Sequence, residues 1–376
     1  MDLGAFNWQK FTYFLLSVFL IFFLLIEARV ILLPLGFAVF TGILLLPICY
    51  FFERFVKRRL LSVIITFVAL AVFISGVIFL FSFQLYRVIS NVPHISDGLK
   101  SGIGQIIDWY AKTFNLSRQE SAEWLENQFA GLVDAPISYI TSGLSSSSQF
   151  MVDLVLIGIY TFLFLIYRTS FKNFLLIQAA PENRSQMQEV INNITRITKQ
   201  YLSGRLIVML ILAVLNSGGL WLLGVDYPIL WGSLAAILTI IPFIGTTLGG
   251  TLPLLYSIAV SDSIWQPVGV VALYAGIQQL EGNFITPKIV GMNIKLNPLA
   301  AIFAMVVGGV IWGIAGLILA LPIVAAGKII MEQFDVLKPV ALLLDKDIYQ
   351  DKEKFFDELD EEKYRFSHFL QKEEEE

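Results

Sequence analysis

Long apolar runs alternate with short polar breaks along this chain, and the spacing of the breaks predicts a membrane protein. The runs Phe11–Ile26, Val30–Phe52, Leu60–Phe83, Phe150–Tyr167, Leu206–Leu223 and Trp265–Ile285 each approach the roughly 20 apolar residues that a spanning helix needs. Two further apolar segments, Pro228–Val260 and Pro298–Ala326, are punctuated by Pro and Gly. The first is interrupted at Pro242-Phe243-Ile244-Gly245-Thr246-Thr247 and the second at Trp312-Gly313, with Gly308, Gly309 and Gly316 close by. Each half of the first segment has about 14 residues, or roughly 20 Å of helix. That is short of the approximately 30 Å hydrocarbon core. The pattern therefore predicts an all-α polytopic membrane protein with six full crossings and two opposed re-entrant helical hairpins. Broken helices at membrane depth need burial in protein or a wet cavity. Paired interrupted segments are also the best sequence pointer to a substrate site in transporters.

The polar stretches divide the chain. Residues 1–83 hold the N-terminal membrane helices, 84–149 a small helical extracytoplasmic cap, 150–330 the transport core with its two hairpins (228–260 and 298–326), and 331–376 a charged cytoplasmic tail. In the cap, Leu99, Ile103, Ile106, Tyr110 and Phe114 recur at helical spacing, and Leu125, Phe129 and Leu132 mark a second helix. Ser117-Arg118-Gln119-Glu120 reads as a capping box between them. Residues 181–204 are amphipathic, with Met187, Ile191, Ile194, Ile197 and Tyr201 on one face. This stretch suits either the inner membrane surface or ordinary packing. The loop Glu53–Arg59 carries four basic residues against one acid, which assigns it to the cytoplasm. Counting crossings from that loop places both termini in the cytoplasm. Glu27-Ala28-Arg29 after the first apolar run is no cleavage site, so that run is expected to stay as a helix.

Composition narrows the function. The chain of 376 residues is 56% hydrophobic with a mean hydropathy of +0.73, and only 15% of its residues are charged. A net charge of −4 argues against nucleic acid. Cys49 is the sole cysteine, and His94 and His368 lie outside the apolar segments, so neither a disulfide nor a buried histidine metal site is expected. No H-E-x-x-H, G-x-S-x-G or phosphate-binding loop occurs, so the chain is not expected to be an enzyme. Without an ATP site or cofactor, transport would run downhill or couple to sodium or protons.

Glu281 is the sharpest chemical candidate. A carboxylate at mid-bilayer costs on the order of 3 kcal/mol and is rarely kept without a partner or a wet cavity. Tyr274, Gln278 and Glu281 are spaced for one helix face, and Gln279, Asn283 and Thr286 for the next. Together they predict a polar wall along a substrate or ion path. The plainer reading puts Glu281 near the cytoplasmic end, paired with Lys288. Freed backbone groups at Pro242 and Gly245, with the hydroxyls of Thr246 and Thr247, extend the candidate path. Asn216-Ser217-Gly218-Gly219 reads as a helix-packing face.

These stretches resemble a known family. Ile240–Gly245, the run Gln278-Gln279-Leu280-Glu281-Gly282-Asn283-Phe284-Ile285-Thr286-Pro287-Lys288-Ile289-Val290-Gly291, and Leu296-Asn297-Pro298-Leu299 are similar to signature segments of the autoinducer-2 exporter family. Gly308-Gly309, Gly313–Gly316, Leu321-Pro322 and Tyr201–Gly204 fit as well, and the likeness is densest over 200–330. The resemblance implies a bacterial-type inner-membrane carrier that exports a small signalling solute, or exchanges sodium for protons, by an elevator-like movement. It adds Asn297 and Pro298 to the path. Family members usually carry His where this chain has Asn297, which cannot titrate near neutral pH. The expected partners are a small-molecule or ion substrate, the lipid bilayer and other copies in a homo-oligomer. A rival reading from another class is a non-transporting membrane scaffold that docks partners through its cap and tail.

Overall fold

The computed structural model describes residues 8–90, 92–114, 117, 147–241, 245–290 and 296–346. These form helices and connecting turns, with no strand among the described residues. In chain order the helices are α1 (Trp8–Glu27), α2 (Arg29–Val56), α3 (Arg59–Ser90), α4 (Val92–Phe114), α5 (Ser147–Gln178), α6 (Arg184–Leu222), α7 (Pro228–Leu238), α8 (Gly245–Val260), α9 (Trp265–Leu280), α10 (Thr286–Ile289), α11 (Pro298–Met331) and α12 (Lys338–Leu343). Six candidate spans are long and apolar enough to cross a membrane: Trp8–Glu27, Arg29–Val56, Arg59–Val88, Phe150–Gln178, Pro181–Leu222 and Pro298–Met331. Five coincide with expected crossings. The sixth is α11 and not the helix beginning at Trp265.

The chain forms two compact units. One comprises Met1–Ile64, Asp153–Ser203 and Met292–Glu376, and the other Ile65–Val152 and Gly204–Gly291.

In the first unit, Ala28 alone separates α1 from α2, and its near-helical φ of −85° and ψ of 14° kink the path without a loop. Pro34 and Pro47 lie inside α2, with Pro34 buried. Arg168 sits within α5, beyond the Phe150–Tyr167 apolar run. Its Nη2 donates to both carboxylate oxygens of Glu53 at 2.6 and 2.7 Å, and its guanidinium lies 4.4 Å from the centre of the Tyr50 ring. Arg59 reaches the same helix, donating to the Ile166 carbonyl at 3.0 Å and to Thr169 Oγ1 at 2.8 Å. The turn after α2 is thereby fastened to α5.

The Gly-rich segment of α11 is broken where the sequence predicts. Trp312 (φ −129°, ψ 15°) and Gly313 (φ 61°, ψ −139°) leave helical geometry. Residues 308 and 316 of a straight helix would lie about 12 Å apart. Here a Cβ on Gly308 would meet the Gly316 carbonyl oxygen at 2.6 Å, so the chain folds back into two packed arms. Ala304, Met305 and Ala320 fill the seam, flanked by Leu317, Leu321 and Val324. At the bend, Trp312 Nε1 donates to the Leu25 carbonyl at 2.8 Å. The kink after α1 turns that carbonyl out of the helix ladder.

In the second unit, α7 and α8 make the other helical pair. Pro228 opens α7 after Tyr227, which holds a left-handed φ of 54°. A Cβ on Gly249 would lie 2.7 Å from Ala235 Cα, so the two helices touch backbone to backbone. The core of this unit joins Val88, Leu220, Val225, Leu230, Trp231, Tyr256 and Val270. Helix α4, within the segment expected to form the extracytoplasmic cap, packs on α8. A Cβ on Gly98 would fall 1.9 Å from the Ala259 carbonyl, and one on Gly102 would fall 2.1 Å from that of Ile258. Two glycines at i and i+4 give α4 a face flat enough for that approach. The expected second cap helix and most of its capping box lie outside the described residues.

The amphipathic stretch and the fifth crossing are not separate helices. Helix α6 runs unbroken for 39 residues. Ser203 lies within the helix, its hydroxyl bonded back to the Lys199 carbonyl at 2.7 Å. Gly204 stays because its backbone serves a helix contact described below.

Candidate functional site

Helix α9, a π-helical turn over Glu281–Ile285 and α10 form one continuous helical path from Trp265 to Ile289. Pro287 explains the widened turn. It has no N–H to donate, and its ring crowds the carbonyl one turn earlier. The helix answers by inserting a residue, and the Thr286 N–H reaches back to the Glu281 carbonyl across five residues. Such π turns interrupt helices most often at functional positions.

The polar side chains divide between a buried and an exposed face. Glu281 turns inward and is 9% exposed, on the face that also carries buried Ile277 and Val270 and half-buried Tyr274. Gln278 is exposed, so it does not share the Glu281 face as the spacing suggested. Gln279 and Asn283 are exposed too and bond to each other, Asn283 Nδ2 donating to Gln279 Oε1 at 2.9 Å. Thr286 is half-buried with its hydroxyl enclosed. That hydroxyl and the enclosed one of Tyr274 make no hydrogen bond among the described residues.

The partner of Glu281 is Arg205. Its Nη1 lies 3.5 Å from Glu281 Oε1, and Arg205 is itself 8% exposed. Lys288, the partner in the plainer reading, is exposed. Gly204 sets up the encounter. A Cβ there would lie 3.2 Å from the Ile289 carbonyl oxygen and 3.3 Å from Val290 Cα. Without a side chain at 204, α6 lies close against the end of α10, and the next residue along α6 meets the carboxylate. A buried charge is tolerable only when it is paired, and here each charge supplies the other's counter-ion.

Arg205 was not among the residues singled out from the sequence, yet a signal was present. It is the only charged residue between Lys199 and Asp226, and Glu281 is the only acid between Asp262 and Glu332. Two lone opposite charges in apolar helices are natural partners.

The remaining candidates are placed as follows. Gly245 is buried at the start of α8, where a Cβ would meet the Leu238 carbonyl oxygen at 2.1 Å, so its smallness closes the turn between α7 and α8. Thr246 and Thr247 lie in the first turn of α8. Their side chains and all of Pro242 fall outside the described residues. Asn297 and Pro298 belong to the other unit and start α11, with Asn297 Oδ1 accepting from the Ala300 N–H at 2.8 Å and Pro298 in the first turn. Among the described residues, no three His, Cys, Asp or Glu side chains group to hold a metal ion.

Likeness to known proteins extends over nearly the whole chain. Residues 13–335 match the family model described as AI-2E family transporter. The chain is 25% identical over 316 residues to "Putative transport protein YrrI" of Bacillus subtilis (strain 168), covering 81% of this chain and 87% of that one. It is 23% identical over 325 residues to "AI-2 transport protein TqsA" of Escherichia coli (strain K12), covering 84% and 90%. "Putative transport protein YueF" of Bacillus subtilis (strain 168) is 26% identical over 300 residues, covering 75% and 78%.

Proposed function

The chain belongs to the AI-2E transporter family, and from that premise we propose that it is a secondary transporter that exports a small polar solute. Family and long apolar helices together make it a multi-pass membrane transport protein. The solute, the direction and the path are our reading. TqsA is named for transport of AI-2, which makes that compound the first solute to test.

One observation carries the path: a buried Arg205–Glu281 pair beside a π-helical turn, with the Tyr274 and Thr286 hydroxyls enclosed near it in sequence. The pair is charge-balanced. A lone cation at Glu281 would have to displace Arg205 and leave that charge buried, which is costly. A neutral solute with several hydroxyls replaces hydrogen bonds one for one and meets no such cost. The pairing therefore favours a polar solute over sodium/proton exchange at this carboxylate. In this reading the α7–α8 and α11 hairpins dip into the bilayer from opposite faces, in the inner membrane, with both termini in the cytoplasm.

Purified protein in proteoliposomes tests the reading. Flux of AI-2 and of other small polyols is measured with and without sodium and proton gradients. Saturable flux that the Glu281→Gln variant lacks supports it. Flux of none of these solutes, or a variant equal to wild type, contradicts it.

A further inference from the structure

The open base of the α11 hairpin is closed by a piece of chain that lies beyond it. After α11 the backbone turns through a short 3-10 helix (Asp335–Leu337) and α12 (Lys338–Leu343), then returns to the start of the hairpin. There the Asn297 N–H donates to the Leu344 carbonyl at 2.9 Å, and Asn297 Nδ2 donates to the Leu343 carbonyl at 2.7 Å. A longer contact runs from the same nitrogen to the Asp345 carbonyl at 3.4 Å. Asn297 is thus spent on both sides at once: its oxygen caps α11 while its amide and backbone hold the returning segment.

The other arm is held by charge. Lys328, near the end of α11, is 5% exposed, and its ammonium bonds to the Asp345 carboxylate. Glu332, one turn on, lies 3.7 Å away. Residues 343–345 therefore touch the foot of each arm, one through backbone hydrogen bonds and one through an ion pair.

We propose that Leu343–Asp345 is a releasable strap across the base of the hairpin, and that its release lets the two arms move. The seam above the strap is narrow. Ala304, Met305 and Ala320 are small or unbranched, and Gly308 meets Gly316 backbone to backbone. Leu317, Leu321 and Val324 flank this close-packed seam, and the fastening at its base sets how the two arms sit against each other. The fastening itself is suited to switching. Its hydrogen bonds and ion pair are non-covalent, so they can break and re-form. The inference concerns the hairpin alone and stands whether or not the chain carries the solute proposed above.

Cysteine reporters test it in nanodiscs, where reagent reaches both faces. Cys49 is the only native cysteine and is buried, so a Cys49→Ala background is silent. Leu344→Cys reports on the strap and Ala304→Cys on the seam, each by its rate of reaction with a soluble maleimide. Asp345→Lys sets two cations against each other and should raise both rates at least about tenfold, since an uncompensated buried charge opens its surroundings. The exchange of both charges, Lys328→Asp with Asp345→Lys, should bring both rates back towards the starting value. If Asp345→Lys does not assemble, Asp345→Asn keeps the hydrogen-bond acceptor, removes the charge and should raise both rates less. A rise at Leu344→Cys with none at Ala304→Cys makes the segment a local staple and overturns the proposal. So does a reactivity that ignores the charge at 345.

Discussion

Arg205 Nη1 and Glu281 Oε1 lie 3.5 Å apart, each on a residue more than nine-tenths buried, in helices joined by the bare backbone of Gly204. The pair links a local sequence accident, a proline that forces a π turn, to the one buried carboxylate of this unit among the described residues. Breaking such a pair differs from removing it. A single neutralisation leaves a buried charge without compensation and costs about 3–5 kcal/mol, while replacing both partners with apolar side chains is near neutral.

The pair therefore separates stability from transport. Arg205→Met and Glu281→Met should each lower the melting temperature in detergent, and the double variant should recover most of that loss. Flux should stay absent in all three. Recovery of flux in the double variant would make the pair structural only.

The α11 hairpin depends on glycine at its seam. A Cβ on Gly316 would sit 1.8 Å from the Gly308 carbonyl oxygen, while one on Gly276 meets nothing within 4 Å. Gly316→Ala should destabilise by about 1–3 kcal/mol or more through overpacking, and Gly276→Ala should be silent. Thermal unfolding followed by size-exclusion chromatography compares them.

The bend of the same hairpin gives a smaller effect. Trp312→Phe removes the hydrogen bond to Leu25 but keeps an aromatic ring. The expected loss is about 1 kcal/mol. Gly313→Ala should cost more, about 1–3 kcal/mol, because φ of 61° with ψ of −139° is a conformation that essentially only glycine adopts.

Truncation separates a carrier from a scaffold. Ending the chain after Lys346 keeps Asp345 and its bond to Lys328 while removing the rest of the tail. A carrier should retain its flux, and a scaffold that docks partners through the tail should lose them in a pull-down.

Much of this was legible in the sequence. Apolar runs gave five of the long helices to within a few residues at most ends, and Trp312-Gly313 marked its break correctly. Three glycines made the difference where the structure departs from the expected boundaries. Gly204 looked like a helix boundary and is a packing position inside α6. Gly98 and Gly102 fall within the expected cap segment and are the face of α4 that meets α8. A glycine written in a sequence does not say whether it ends a helix or admits a neighbour, because that depends on what lies opposite. The polar wall divides for a simpler reason. Glu281 lies three residues after Gln278 but four after buried Ile277, and regular helical spacing puts it on the Ile277 face while Gln278 stays exposed. The partner of Glu281, 76 residues away in sequence, is visible only as a second lone charge.

The most direct test of the account is solute flux in proteoliposomes by wild type and Glu281→Gln, at matched assembly, with AI-2 as the first solute. The account predicts saturable wild-type flux and a variant at the level of empty vesicles. Equal flux from both proteins would contradict it.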